Sequence, residues 1–185
     1  MNTPPFANCA DGVLTTQENT MQEIQTIITP VDFSDNAEMI AESAAYTAGK
    51  FGAELHLIFV VQNFEDYSGF FVPPVNLPNL EEELLKSAQQ RMDEFVADKK
   101  EEYLKAGAIA VHSKVLTGDV SEEILQHAKD IACDLIVMGT HGYKGLERIM
   151  FGSVADKVVK NSCCPVLTIN PYRQVCEEKA EEEEK

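Results

Sequence analysis

The sequence predicts an α/β fold: a parallel sheet with helices on both faces. Short runs rich in branched and aromatic residues alternate with stretches of helical period, in the order β-α-β-α-β-α-β-α-β, and such alternation implies a parallel sheet. Right-handed crossovers then leave a handful of topologies. A third observation locates a site. Between the fourth strand and the last helix, VMGTHGYKGLERIMFGSVADKVVK holds Gly139, Gly142, Gly145 and Gly152. Strand-to-helix links ordinarily need about two to six residues, so the surplus reads as a loop built to hold something.

The first strand is Ile24 to Val31, ending at Pro30-Val31-Asp32. Asp35 stands three residues before Glu38, a helix-start signal. Ile40, Ala44, Ala48 and Phe51 follow at helical spacing, and Gly52 closes that helix. Glu54 to Val61 (ELHLIFVV) is the second strand. The loop QNFEDYSGFFVPPVNLP comes next, and its Phe64, Tyr67, Phe70 and Phe71 suit a mobile cover over a site, with packing on the sheet or on a partner as the alternatives. Leu80 to Lys105 forms the longest helix, with Leu84, Ala88, Met92, Phe95 and Val96 on its apolar face, and Gly107 ends it. Ile109 to Leu116 is the third strand. Asp119 and Glu122 repeat the helix-start signal ahead of Ile124, Leu125, Ala128 and Ile131. Asp134 to Met138 is the fourth strand, Val154 to Lys160 the last helix and Pro165 to Ile169 the fifth strand.

The 185 residues suit one domain with a sizeable core. We read residues 1–22 as a flexible extension, 23–171 as the domain and 172–185 as an acidic tail. Net charge is -16, from 15 basic and 31 acidic residues. That argues against nucleic acid and against an anionic membrane surface. A local anion site remains open to the chain, because backbone N–H groups supply a positive field. Five cysteines, Cys9, Cys133, Cys163, Cys164 and Cys176, include no C-x-x-C, and we read them as reduced thiols. Without an apolar start or a span-length apolar run, the expectation is a cytoplasmic protein.

In doubly wound sheets, ligands sit beyond the carboxyl ends of the strands where the winding reverses. The first and fourth strands flank that point. The glycine loop fits neither G-x-x-x-x-G-K-[ST] nor G-x-G-x-x-G. Gly139 and Gly142 permit positive φ and close backbone approach, and successive N–H groups there can form an anion nest. Gly152 lets a ligand near the chain. Ser153 reads as an N-cap, with Asp156 completing a capping-box pattern. The N–H groups near Val154 and Ala155 would face a phosphate.

Gly139-x2-Gly142-x9-Gly152-Ser153 is the nucleotide-binding signature of ATP-binding universal stress proteins (the UspA family). TPVDFSDNAEMI near the first strand, MGTHG, and GSVADKVVKNSCCPVLTI resemble that family too, over about residues 22 to 170. The resemblance implies a Rossmann-like sheet of the HUP type, five parallel strands in the order 3-2-1-4-5. It implies adenine and ribose near Pro30, Val31 and Asp32, with the backbone of Val60 flanking adenine. Met138, Gly139, Thr140, His141, Gly142, Tyr143, Lys144 and Gly145 would wrap ribose and phosphates. Gly152, Ser153, Val154 and Ala155 would meet the phosphates. Asp32 suits a ribose hydroxyl because a carboxylate accepts hydrogen bonds. The implied ligand is ATP, ADP or AMP, with Mg²⁺ or Mn²⁺ arriving on the phosphates.

No catalytic residue is expected. His141 has no nucleophile or acid at motif spacing and reads as phosphate-facing or structural. Lys144 either neutralises phosphate or faces solvent. His56, inside a strand, reads as a packed side chain, and His112 and His127 give no cluster, so no metal ligand is expected. The fifth strand would be an edge. In the resembling family it commonly pairs across a two-fold axis, which implies a homodimer through Pro165 to Ile169. The function implied is a nucleotide-dependent regulator or sensor in stress response, with at most slow ATP hydrolysis and an unidentified protein partner. The alternatives are an adenine-nucleotide enzyme of related fold, whose H-x-G-H or S-G-G-x-D-S is absent, and a stress protein acting through protein contacts alone.

Overall fold

A computed structural model of the chain describes residues 23–62, 80–140 and 152–171. The described elements are β1 (Thr26–Pro30), α1 (Ala37–Phe51), β2 (Glu54–Val61), α2 (Leu80–Lys105), β3 (Val111–Thr117), α3 (Val120–Asp130), β4 (Leu135–Gly139), α4 (Ser153–Asn161) and β5 (Val166–Ile169). All pairings are parallel, and the strand order is β3-β2-β1-β4-β5. The extension, the tail and the aromatic loop residues Phe64, Tyr67, Phe70 and Phe71 lie outside the described residues.

Strand side chains alternate between two cores, as the pleat requires. On one face Ile27, Leu55, Leu57, Leu135 and Val137 pack against Ala41, Ala44, Ala45 and Ala48 of α1 and Met92, Val96 and Tyr103 of α2. On the other, Ile28, Ile58, Val60, Ile136 and Met138 pack against Ile124 and Ala128 of α3 and Ala155 and Val158 of α4. The inner strands β1, β2 and β4 are therefore mostly apolar, as sheets covered on both sides require, whereas the edge strand β3 exposes His112, Ser113 and Lys114.

The alanine stripe on α1 lets helices approach closely. At its end Gly49 meets the turn after α2 backbone to backbone: a Cβ on Gly107 would stand 2.7 Å from the Gly49 Cα. Gly107 also holds φ +111, so glycine is required there by conformation and by space.

Three helix starts repay comparison with expectation. Asp119 caps α3 as the sequence suggests, its carboxylate accepting from the Ser121 and Glu122 N–H groups at 3.0 and 3.1 Å. Asp35 does not cap α1. Asn36 holds the cap position without a side-chain bond, in a nearly helical conformation (φ -89, ψ -14) that lacks the extended geometry a capping side chain uses. Nor does Ser153 cap α4. It is the first helical residue, and extended Gly152 (φ -54, ψ 151) takes the cap position.

β1 begins at Thr26, later than the apolar pattern suggests. The Asp134 carboxylate accepts from the N–H groups of both Gln25 and Thr26, at 2.9 and 3.0 Å. This buried acid pins the start of β1 to the start of β4.

Candidate functional site

Because every strand is parallel, the carboxyl ends of β1, β2 and β4 share one edge of the sheet. At that edge β1 and β4 part. Their ladder pairs Ile27 with Leu135 and Ile28 with Ile136, although β1 runs on to Pro30 and β4 to Gly139. The parting lies where the winding reverses, the position at which such sheets bind ligands.

The β1–β2 ladder also stops short. The Val31 N–H donates to the Ile58 carbonyl at 2.9 Å. Alternate residues of a strand turn their peptide groups to the same neighbour, so Val60 offers its N–H and C=O on the side where β1 has ended. The side chains of Val31, Val60, Met138 and Ala155 are all buried in the two cores. These residues can meet a ligand through backbone alone.

The exit of β1 is held tightly. Asp32 Oδ1 accepts from the Ser34 N–H at 3.0 Å and the Ser34 hydroxyl at 2.6 Å. Among the described residues Oδ2 has no hydrogen-bond partner, so it can accept from a ligand hydroxyl. Between them Phe33 adopts φ 54, a left-handed conformation uncommon for a bulky side chain. Aromatic packing holds it there: its ring lies 4.5 Å from Phe59 and 5.8 Å from Phe95, with the Arg91 guanidinium 5.0 Å from its centroid. Sequence pattern gives no warning of Phe33, since neither its conformation nor its partners are local in the chain.

The glycine loop is closed at its base. The Gly152 N–H donates to the Thr140 carbonyl at 2.8 Å, and the Thr140 N–H donates to Ile169 at 2.9 Å. Thr140 and Gly152, the residues on either side of 141–151, thus meet at one point. The first helical bond of α4 runs from the Asp156 N–H to the Gly152 carbonyl at 3.0 Å, so the N–H groups of Ser153, Val154 and Ala155 precede the helical ladder. With the helix dipole behind them, these N–H groups can accept an anion as partner. Expectation needs one correction. Gly139 is a strand residue without positive φ, so a left-handed backbone is not why glycine stands there. Gly152 has φ -54, and the expectation for it, close approach of a ligand, does not depend on a left-handed backbone. The remaining loop residues singled out by sequence, His141, Gly142, Tyr143, Lys144 and Gly145, lie outside the described residues.

A model of the universal stress protein family matches residues 23–170. The chain belongs to that family. It is 40% identical over 144 residues to universal stress protein MJ0531 of Methanocaldococcus jannaschii, across 77% of this chain and 80% of that one. Among solved structures, universal stress protein UspA from Lactobacillus plantarum superposes with TM-score 0.68 at 26% identity, covering 80% of this chain and 99% of its own. The MJ0577 structure gives TM-score 0.66 at 28% identity, covering 80% and 97%. The strand order found here is the one that membership in the universal stress proteins implies. No described helix is long and apolar enough to cross a membrane.

A second polar group stands at the opposite end of the sheet, where the sequence suggested no cluster. Register pairs His56 on β2 with His112 on β3. Their rings stack with centroids 4.5 Å apart. Both Nε2 atoms face Glu54 Oε2, His56 at 3.5 Å and His112 at 3.4 Å. Burial, then the neighbouring His112, holds the His56 pKa below its usual value. Sequence reasoning missed this group because strand register decides it, and neither histidine is near the other in the chain.

Proposed function

We propose that this universal stress protein binds an adenine nucleotide (ATP, ADP or AMP) where β1 and β4 part, and acts as a nucleotide-dependent regulator or sensor in stress response. The observation that carries the reading is the convergence at one edge of an unpaired strand end, a loop pinched at its base and the N-terminus of α4. In this arrangement the Val60 peptide flanks the base, Asp32 accepts from a ribose hydroxyl, and Ser153, Val154 and Ala155 donate N–H groups to phosphate. Pro30, Val31, Met138, Gly139, Thr140 and Gly152 form the floor, and residues 141–145 complete the wrap. Two proteins sharing the fold at 20% and 22% identity were solved in complex with cAMP and with dAMP. Mg²⁺ or Mn²⁺ would arrive bound to the phosphates. Hydrolysis is slow, below about one turnover per second.

The reading also takes the chain as a cytoplasmic homodimer. β5 is a sheet edge with Leu167 42% exposed, and pairing two copies through Pro165 to Ile169 would protect both edges. Light scattering on the purified chain tests this, and a monomer at micromolar concentration overturns it.

The nucleotide content of freshly purified protein tests the main reading, together with titration of ATP and Mg²⁺ by thermal shift. Saturation at 100 times Kd adds about 2.7 kcal/mol. The informative variant is Gly152→Val. Valine tolerates φ -54 and ψ 151, so the fold persists while a branched side chain crowds the phosphate position, and binding should be lost. Unchanged ATP affinity in that variant, or no adenine nucleotide and no thermal shift in the parent, overturns the site.

A further inference from the structure

We infer that Glu54, His56 and His112 form a site for one divalent transition-metal ion of the zinc class. The trio lies at the amino ends of β2 and β3. It is four residues, about 13 Å along the strand, from Val60, and so is separate from the nucleotide site.

Two neutral imidazoles and a carboxylate are a donor set that suits Zn²⁺ and its first-row neighbours. The two imidazole–carboxylate spacings fit as well as the chemistry, and one of the stacked rings must turn for both lone pairs to meet one ion. For bonds of about 2.0–2.1 Å, the ligand atoms of a tetrahedral zinc lie about 3.3–3.4 Å apart. The two Nε2 to Oε2 distances are 3.5 and 3.4 Å. Both exceed the range of about 2.7–3.2 Å for good N–H···O hydrogen bonds. A cation between them gives each atom a better partner than it has. All three ligand atoms lie within 4.8 Å of one another. The rigid part of the site is built into the sheet: Glu54 and His56 share one face of β2, and His112 stands beside His56 in register. His112 is half exposed, so a side-chain rotation adjusts the third ligand and leaves a coordination position open to solvent. β3 is the outer strand of the sheet. An ion here would staple that edge to β2.

The test uses the full chain, kept reduced, free of nucleotide and in buffer without phosphate. Zn²⁺ is titrated by calorimetry and Co²⁺ by visible absorption. One equivalent should bind, and the Co²⁺ complex should lack thiolate charge-transfer absorption. His112→Gln and Glu54→Gln should each weaken binding at least tenfold, while circular dichroism and the ATP-induced thermal shift match the parent. Should a variant fold poorly, histidine ring nitrogen resonances of the parent give a second reading: those of His56 and His112 should move on adding Zn²⁺. Absence of a stoichiometric site, unchanged affinity in both variants, a thiolate signature, or unmoved His56 and His112 resonances overturns the inference.

Discussion

Replacing Gly49 with alanine sets two effects of opposite sign against each other. Gly49 lies inside α1, where glycine costs about 1 kcal/mol relative to alanine, so intrinsic propensity says the change stabilises. Packing says the reverse. The new Cβ would fall on the Ala106 carbonyl oxygen, and within 2.9 Å of both the Ala106 carbonyl carbon and the Gly107 Cα. These are backbone atoms, so no rotamer relieves the clash. The end of α1 must move away from the turn after α2, loosening Ala45, Ala48 and Tyr103 in the core beneath. Overpacking of this kind costs about 1–3 kcal/mol and more where backbone must shift. Sterics should therefore win by about 1–2 kcal/mol net of propensity. With a urea m-value of about 2 kcal/mol/M, the unfolding midpoint falls by about 0.5–1 M. Gly52→Ala is the companion. Gly52 has φ +66 with nothing within 4 Å of its would-be Cβ, so that variant reports left-handed backbone cost alone, about 1–2 kcal/mol. A midpoint for Gly49→Ala equal to or above the parent's would refute the close crossing of α1 and the α2 turn.

Tyr103 is buried with its hydroxyl unpartnered among the described residues, and desolvation pushes its pKa up to about 12. Tyr103→Phe should keep or raise stability, by up to about 1 kcal/mol; a loss above that in urea unfolding would mean the hydroxyl has a partner. Asp119→Ala should cost about 1 kcal/mol at neutral pH through loss of the α3 cap. The Ser121 hydroxyl bond, then the Glu122 N–H, holds the Asp119 pKa below its usual value. Its charged form therefore adds stability above the unfolded pKa of about 4 and loses it as pH falls through the folded value. The gap between parent and variant melting points should close below that pH, and a gap that widens on acidification would reverse the assignment.

Where local pattern and tertiary demand agree, elements were legible in the sequence. Glu54–Val61 and Leu80–Lys105 fall where composition and period put them. The errors have a common cause in partners remote along the chain. The start of β1 depends on Asp134, a hundred residues away in sequence. The entry to α1 follows a turn held by Asp32, Ser34 and the packing of Phe33, and it leaves Asp35 without a capping role. At the candidate site, the residue types and their glycine spacing pointed to the edge where β1 and β4 part. What the sequence withheld was burial: Val31 and Met138 are core side chains, which leaves their peptide groups to face the parting strands, the mode the resemblance implied for Val60 alone. The His56–His112 pair shows the same limit, since only register brings the rings together.

The bond between the Gly152 N–H and the Thr140 carbonyl fixes the two residues that bracket 141–151 against each other. The separation that any segment between them must span is therefore set by the scaffold. Doubling the length of a flexible loop costs only about 0.6 kcal/mol in closure entropy. A graft of a longer or differently charged segment between these two residues should therefore be accepted by the same scaffold, so the composition of this stretch can change without any redesign of the core.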